Sequence, residues 1–258
     1  MNGKILIFLC LAIGLAGCTV PVRIRPLDRP MPSSETSGRP FKPSLGGRIG
    51  ARPTIELTSD LRNSAPTPSS PSLSQSEDVS LFADIALAPR LDVGLDLSLY
   101  QLILRGKFQI FGNPVQTTRA GNLSLAVTTG LGVGTTGNDD KNTATTYSST
   151  HQSQHSYSVD AALVAGVRPA EWLLTYLGVS AKYLDYNGSF TSSNASVGTG
   201  DFKGQTVWWG PYTGLELSSR RFRYRMSFGW SPLKSGEVQE NLFSSQGELS
   251  VALGSIED

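Results

Sequence analysis

The chain has 258 residues, 27 of them glycine, only two cysteines, and a formal net charge of +1. So balanced a charge offers no basic stripe to a nucleic-acid backbone, and nucleic acid is not an expected partner. No repeat of roughly 20–50 residues recurs, which excludes a solenoid.

At the N-terminus Lys4 precedes an almost wholly apolar run, Ile5 to Ile13, and then Leu15-Ala16-Gly17-Cys18. A charged start, a short apolar core and small residues at a cleavage point describe a secretory signal over residues 1–17. The run falls short of the about 20 apolar residues that a spanning helix needs. Cys10 is lost with the signal, so the mature chain keeps one cysteine and has no intramolecular disulfide. The tetrapeptide resembles the lipobox of bacterial lipoproteins. That resemblance implies cleavage before Cys18, acylation of its thiol by palmitate-type chains and of the new amino group, and handling by the lipoprotein sorting machinery. Thr19, where an Asp would favour inner-membrane retention, implies delivery to the outer membrane.

Residues 18–48 read as a periplasmic linker. They carry Pro21, Pro26, Pro30, Pro32, Pro40 and Pro43, a composition that is extended and semi-rigid. Arg23, Arg25, Arg29, Arg39, Lys42 and Arg48 face only Asp28 and Glu35. A solvated tether accounts for this charge, and contact with lipid head groups or cell-wall polymer is the functional alternative. Asn63 to Gln75 is rich in Ser and Pro and is expected to be a loop.

From Val79 onward the apolar residues recur with period two, the mark of strands with two different faces. Val79, Leu81, Ala83, Ile85 and Leu87 form the first set, and Leu91, Val93, Leu95, Leu97 and Leu99 the second. Leu102 to Ile110, Leu123 to Val133, Tyr157 to Val167 and Leu173 to Tyr183 continue the pattern, followed by Val207 to Leu217, Phe222 to Trp230 and Leu249 to Leu253. Connections alternate between short ones at 88–90, 112–120, 168–171 and 218–221 and long ones at 135–155, 188–204 and 232–245. Short periplasmic turns and long outer loops are the habit of outer-membrane barrels. An upward strand at Arg52 to Leu61 completes about ten strands and puts both termini in the periplasm. The expected fold is therefore all-β, an antiparallel up-and-down transmembrane β-barrel over residues 49–258 of about 10 strands, with eight as the alternative. Tyr157, Tyr183, Trp209 and Trp230 lie on the apolar face at the long-loop end, as an interfacial girdle requires.

The opposite face carries Glu56, Asp84, Asp92, Asp96, Asp160, Glu216 and Glu248 together with Arg105, Lys107, Lys182, Arg223 and Arg225. Buried charges must pair. Hairpin register sets Asp96 opposite Arg105 and Glu216 opposite Arg223. A pairing network filling a narrow lumen is favoured over a channel, since open pores appear at about 16 strands. His151 and His155, with Asp139 and Asp140 in the same stretch, are the only candidates for hydrolysis or metal binding, and chance placement in a polar loop outweighs both. No cofactor or metal site is expected.

Over residues 1–18 and 50–256 the chain resembles small outer-membrane β-barrels of the OmpA/OmpX-like architecture class with a lipoprotein signal. That implies lipid and the barrel-assembly machinery as partners, although the end Gly254-Ser255-Ile256-Glu257-Asp258 lacks the terminal aromatic common in such barrels. The expected role is non-enzymatic, a structural and interaction protein of the cell envelope acting through its surface loops. An outer-membrane hydrolase and a narrow pore are the alternatives.

Overall fold

A computed structural model describes residues 19–24, 31–60, 72–142, 148–192, 199–219, 221–235 and 238–253. The signal, Cys18 and Asp258 lie outside them. Eleven strands follow in chain order: β1 Thr19–Ile24, β2 Pro43–Asp60, β3 Ser72–Ala88, β4 Leu91–Ser98, β5 Gln101–Phe111, β6 Leu123–Asn142, β7 Ser148–Ala170, β8 Leu173–Ser192, β9 Thr199–Ser218, β10 Phe222–Ser235 and β11 Val238–Ala252. Each of β2 to β11 pairs antiparallel with its neighbour in sequence, and β11 returns to β2. The ten strands thus form a closed barrel, which leaves no unpaired edge among lipids.

Its polarity is inverted relative to a soluble protein. Leu81, Leu104, Leu131, Leu163, Leu177 and Leu249 are exposed on the outside, Leu177 by 63%, whereas Asp96, Asp160, Lys182, Glu216 and Glu248 are buried inside. A water-soluble sandwich or barrel would place these sets the other way round. The period-two pattern dictates this arrangement because alternate side chains must leave a strand on opposite faces. Further aromatics join the first belt: Phe41, Phe111 and Phe222 are exposed at the short-turn end.

The wall is uneven in height. β4 has 8 residues and β5 has 11, close to what a crossing needs, whereas β6, β8 and β9 have 20 each and β7 has 23. The stretches expected as long loops are largely continuations of these strands. His151 and His155 accordingly sit in β7, with Asp139 and Thr135 of β6 as register partners. Above the membrane the outer face meets water, so the apolar signal that marks a strand disappears. β3 likewise begins at Ser72, inside the expected loop.

The N-terminal region differs most from expectation. β2 starts at Pro43, before the expected barrel boundary. Residues 31–38 run inside the barrel, with Met31, Ser33, Ser34, Glu35 and Thr36 buried. β11 leaves the edge of β2 beyond Gly50, and β1 takes that edge higher up, from Ile24 opposite Ile55 to Thr19 opposite Asp60. Thr19 therefore stands at the tall-hairpin end, while Ala252, opposite Ser44, stands at the short-turn end. The two described ends of the chain are on opposite sides, not together in the periplasm. A Pro-rich extended chain reads alike in sequence whether water or a polar lumen satisfies its backbone.

Candidate functional site

The lumen is the most heavily built part of the molecule, and residues 31–38 are its centrepiece. An extended segment makes no hydrogen bonds with itself, so every buried backbone group needs a partner from the wall. Ser227 and Tyr212 donate to the carbonyls of Met31 and Pro32, the latter at 3.0 Å. Ser34 Oγ lies 2.6 Å from Ser124 Oγ. Lys107 and Arg223 donate to the Glu35 carbonyl. Gln109 Oε1 accepts from the Thr36 backbone and hydroxyl at 2.9 and 2.7 Å, and Asp92 accepts from Ser37 N at 2.8 Å. Gly38 and Phe41 then adopt positive φ, 71° and 60°, and turn the chain out to β2. The positive φ at Phe41 is a local strain, held by the Phe41 N–H bond to the Ala86 carbonyl at 2.7 Å.

The strongest tie is ionic. Arg168, at the base of β7, and Glu35 are both 0% exposed, and Arg168 Nη2 donates to Glu35 Oε2 at 2.6 Å. Arg168 also donates to the Glu171 carbonyl and to Ser218 Oγ, while Asn122 donates to the other Glu35 oxygen at 2.8 Å. The guanidinium fork is thus matched to a carboxylate and a carbonyl, the geometry that makes a buried pair tolerable. In sequence Glu35 reads as part of a tether and Arg168 as part of a turn; they lie 133 positions apart, and no local spacing links them.

Two charge clusters surround this pair. Arg223 donates from Nε to Glu216 Oε1 at 3.1 Å, and Arg168 lies 3.7 Å from the same carboxylate. Higher up, Arg48 bonds both Asp96 and Glu248, Arg105 approaches Asp96 at 3.1 Å, and Arg225 bonds Glu248. Arg48 also lies over the Phe82 ring at 5.5 Å. The structure brings Asp96 to Arg105 and Glu216 to Arg223, although in neither case as direct register partners. Asp96 stands opposite Ile103, and Glu216 opposite Arg225, so both contacts are diagonal and depend on the reach of arginine. The first turn is centred one residue earlier than expected and the second one residue later. Arg48, assigned to the linker, proves to be the hub of the upper cluster. The cavity left among these side chains is about 60 Å³, room for a few waters.

No family model and no curated protein sequence matches the chain. Among solved structures it is similar to Ail, the attachment invasion locus protein of Yersinia pestis, at 11% identity and a TM-score of 0.37, over 83% of this chain and 98% of that one. The same protein in complex with the heparin analogue sucrose octasulfate aligns at 11% identity and a TM-score of 0.35, over 82% and 97% of the two chains. The Ralstonia pickettii toluene transporter TbuX aligns at 11% identity and a TM-score of 0.20, over 85% and 91%. The assignment as a ten-stranded transmembrane β-barrel stands on the closed strand pairing and inverted polarity, independently of these likenesses.

Proposed function

We propose that the protein is a non-enzymatic component of the bacterial outer membrane, in which a sealed barrel supports a raised wall, β6 to β9, that makes contacts outside the cell. The observation that carries this reading is the occupied lumen. With residues 31–38 bonded across the lumen and a cavity of about 60 Å³ among the charge clusters, the barrel is built as a support. Strand length spent above the membrane is then where contact surface remains. Trimming the β8–β9 hairpin at the matched pair Tyr186 and Gly204 tests it. The trimmed barrel is expected to keep heat-modifiable gel mobility yet lose adhesion or autoaggregation of expressing cells; equal adhesion by both forms contradicts the reading.

Two rival readings give opposite results in simple assays. A narrow pore predicts steady openings in planar bilayers, where the plugged lumen predicts none. A hydrolase using His151 or His155 predicts an activity abolished by His151→Ala/His155→Ala. Both histidines are exposed on the outer face of β7, away from the lumen clusters.

Lipid anchoring at Cys18 belongs to the same proposal. Cys18→Ser is expected to leave the precursor unacylated and uncleaved, and a variant still processed at that site removes the anchor. β1 bears on its location. Thr19 pairs with Asp60 at the tall-hairpin end, which supports an anchor on the outer side of the membrane. A tag inserted after Thr19 is expected to be reached by antibody on intact cells. Detection only after permeabilisation would return the anchor to the inner leaflet.

A further inference from the structure

The short-turn mouth of the barrel carries a cluster of cations. Around the short-turn mouth stand Arg39, Lys42, Arg90, Arg119 and Arg221, against Glu171, in a chain whose net charge is only +1. Several of them enclose a vestibule of about 600 Å³ on the barrel axis, where the plug turns out toward β2. Its lining combines Arg39, Lys42, Arg221 and Arg223 with the half-exposed Trp172 and a set of serine hydroxyls that includes Ser218.

From this geometry we propose that the vestibule is a binding site for a carboxylate-bearing glycopeptide, the chemistry of cell-wall polymer. The deduction rests on the periplasmic placement of the short turns. Converging cations in a concave, partly desolvated site attract an anion more strongly than the same charges spread on a flat surface. Arginine suits carboxylates because its fork donates two parallel hydrogen bonds. An indole face beside hydroxyls offers a stacking platform and hydrogen bonds for a sugar ring. The volume fits a ligand of a few sugar or peptide units. Bilayer head groups are the competing source of anions. They lie around the flank of a barrel, whereas this vestibule opens along its axis to the periplasm. Of the basic residues before β3, Arg48 lies inside the lumen and Arg39 and Lys42 line the mouth.

The test uses the full-length protein in detergent, folded by the criterion of heat-modifiable mobility. Purified insoluble cell-wall sacculi are mixed with it and pelleted. The wild type is expected to co-sediment, less so as salt rises. The triple variant Arg39→Gln/Lys42→Gln/Arg221→Gln leaves the Arg223–Glu216 pair intact and is expected to bind on the order of tenfold more weakly. Trp172→Ala is expected to weaken binding, and sacculi with amidated carboxylates should not pull the protein down. A wild type that fails to pellet, or a folded triple variant that pellets equally, overturns the site. Vesicles with and without phosphatidylglycerol form the second arm. Charge-dependent vesicle binding without sacculus binding overturns the glycopeptide in favour of lipid head groups. An inverted orientation is detected separately, by surface labelling at Pro169 on intact cells, so failure of the site and failure of the topology are distinguishable.

Discussion

At the scale of single residues, the Glu35–Arg168 pair bears most of the consequence. Both groups are fully buried, and Arg168 alone ties the plug to β7, to the turn at Glu171 and to Ser218 of β9. Removing one partner leaves a desolvated charge and costs about 3–5 kcal/mol in typical buried pairs, whereas replacing both with neutral residues is far milder. Arg168→Met should therefore destabilise strongly, and Glu35→Gln/Arg168→Met should be more stable than Arg168→Met alone. Urea midpoints of the SDS-resistant form measure both. A double variant as unstable as the sum of its singles contradicts an ionic tie. Sequence reading met opposite limits here. Glu216 and Arg223 share a hairpin, so local spacing brought them together; Glu35 and Arg168 meet only because the chain re-enters its own barrel.

At the scale of strands, β8 and β9 show why the faces were legible and the crests were not. Inside the membrane the outer face must be apolar and the inner face polar, so alternation is enforced and Leu177 and Leu215 declare themselves. Leu177→Arg is expected to cost about 2–4 kcal/mol, and a cysteine there should react with a lipid-soluble maleimide and resist a charged one. Reaction with the charged reagent alone contradicts its lipid facing. The inner face holds a subtler device. Tyr212 stands opposite Gly178, Tyr176 opposite Gly214, Tyr186 opposite Gly204 and Phe202 opposite Gly188, each ring lying over the glycine of the facing strand. A Cβ on Gly178 meets the Tyr212 ring. Gly178→Val should cost about 1–3 kcal/mol by overpacking, and less than additively with Tyr212→Ala. Independent, additive losses would show that the ring does not need the gap. These glycines read in sequence only as weak strand positions, since nothing local reveals a ring across the ladder. Above the membrane both faces carry Ser, Thr, Gln and Asn, so β6 to β9 looked like loops.

At the scale of the whole molecule, barrel class, strand number and hairpin order follow from periodicity and loop spacing, because closure admits few other arrangements of ten amphipathic strands. The plug does not follow. Its composition is that of a tether, and its partners come from seven different strands. Its presence occupies the lumen, accompanies a β1 set at the tall-hairpin end, and shapes the basic mouth as it leaves. Surface labelling should accordingly find Ser149 accessible on intact cells and Pro169 protected, and the reverse pattern would invert the barrel. The account stands or falls with the threaded segment. Ser34 and Ser124 place their oxygens 2.6 Å apart, one on the plug and one on β6. In the double variant Ser34→Cys/Ser124→Cys, extracted under oxidising conditions from the outer membrane and shown folded by its gel mobility, a disulfide is predicted between them. It should be read as a mobility shift in the denatured protein that disappears on reduction and is absent from either single variant. A folded barrel in which both thiols stay free and open to a water-soluble maleimide would contradict the account.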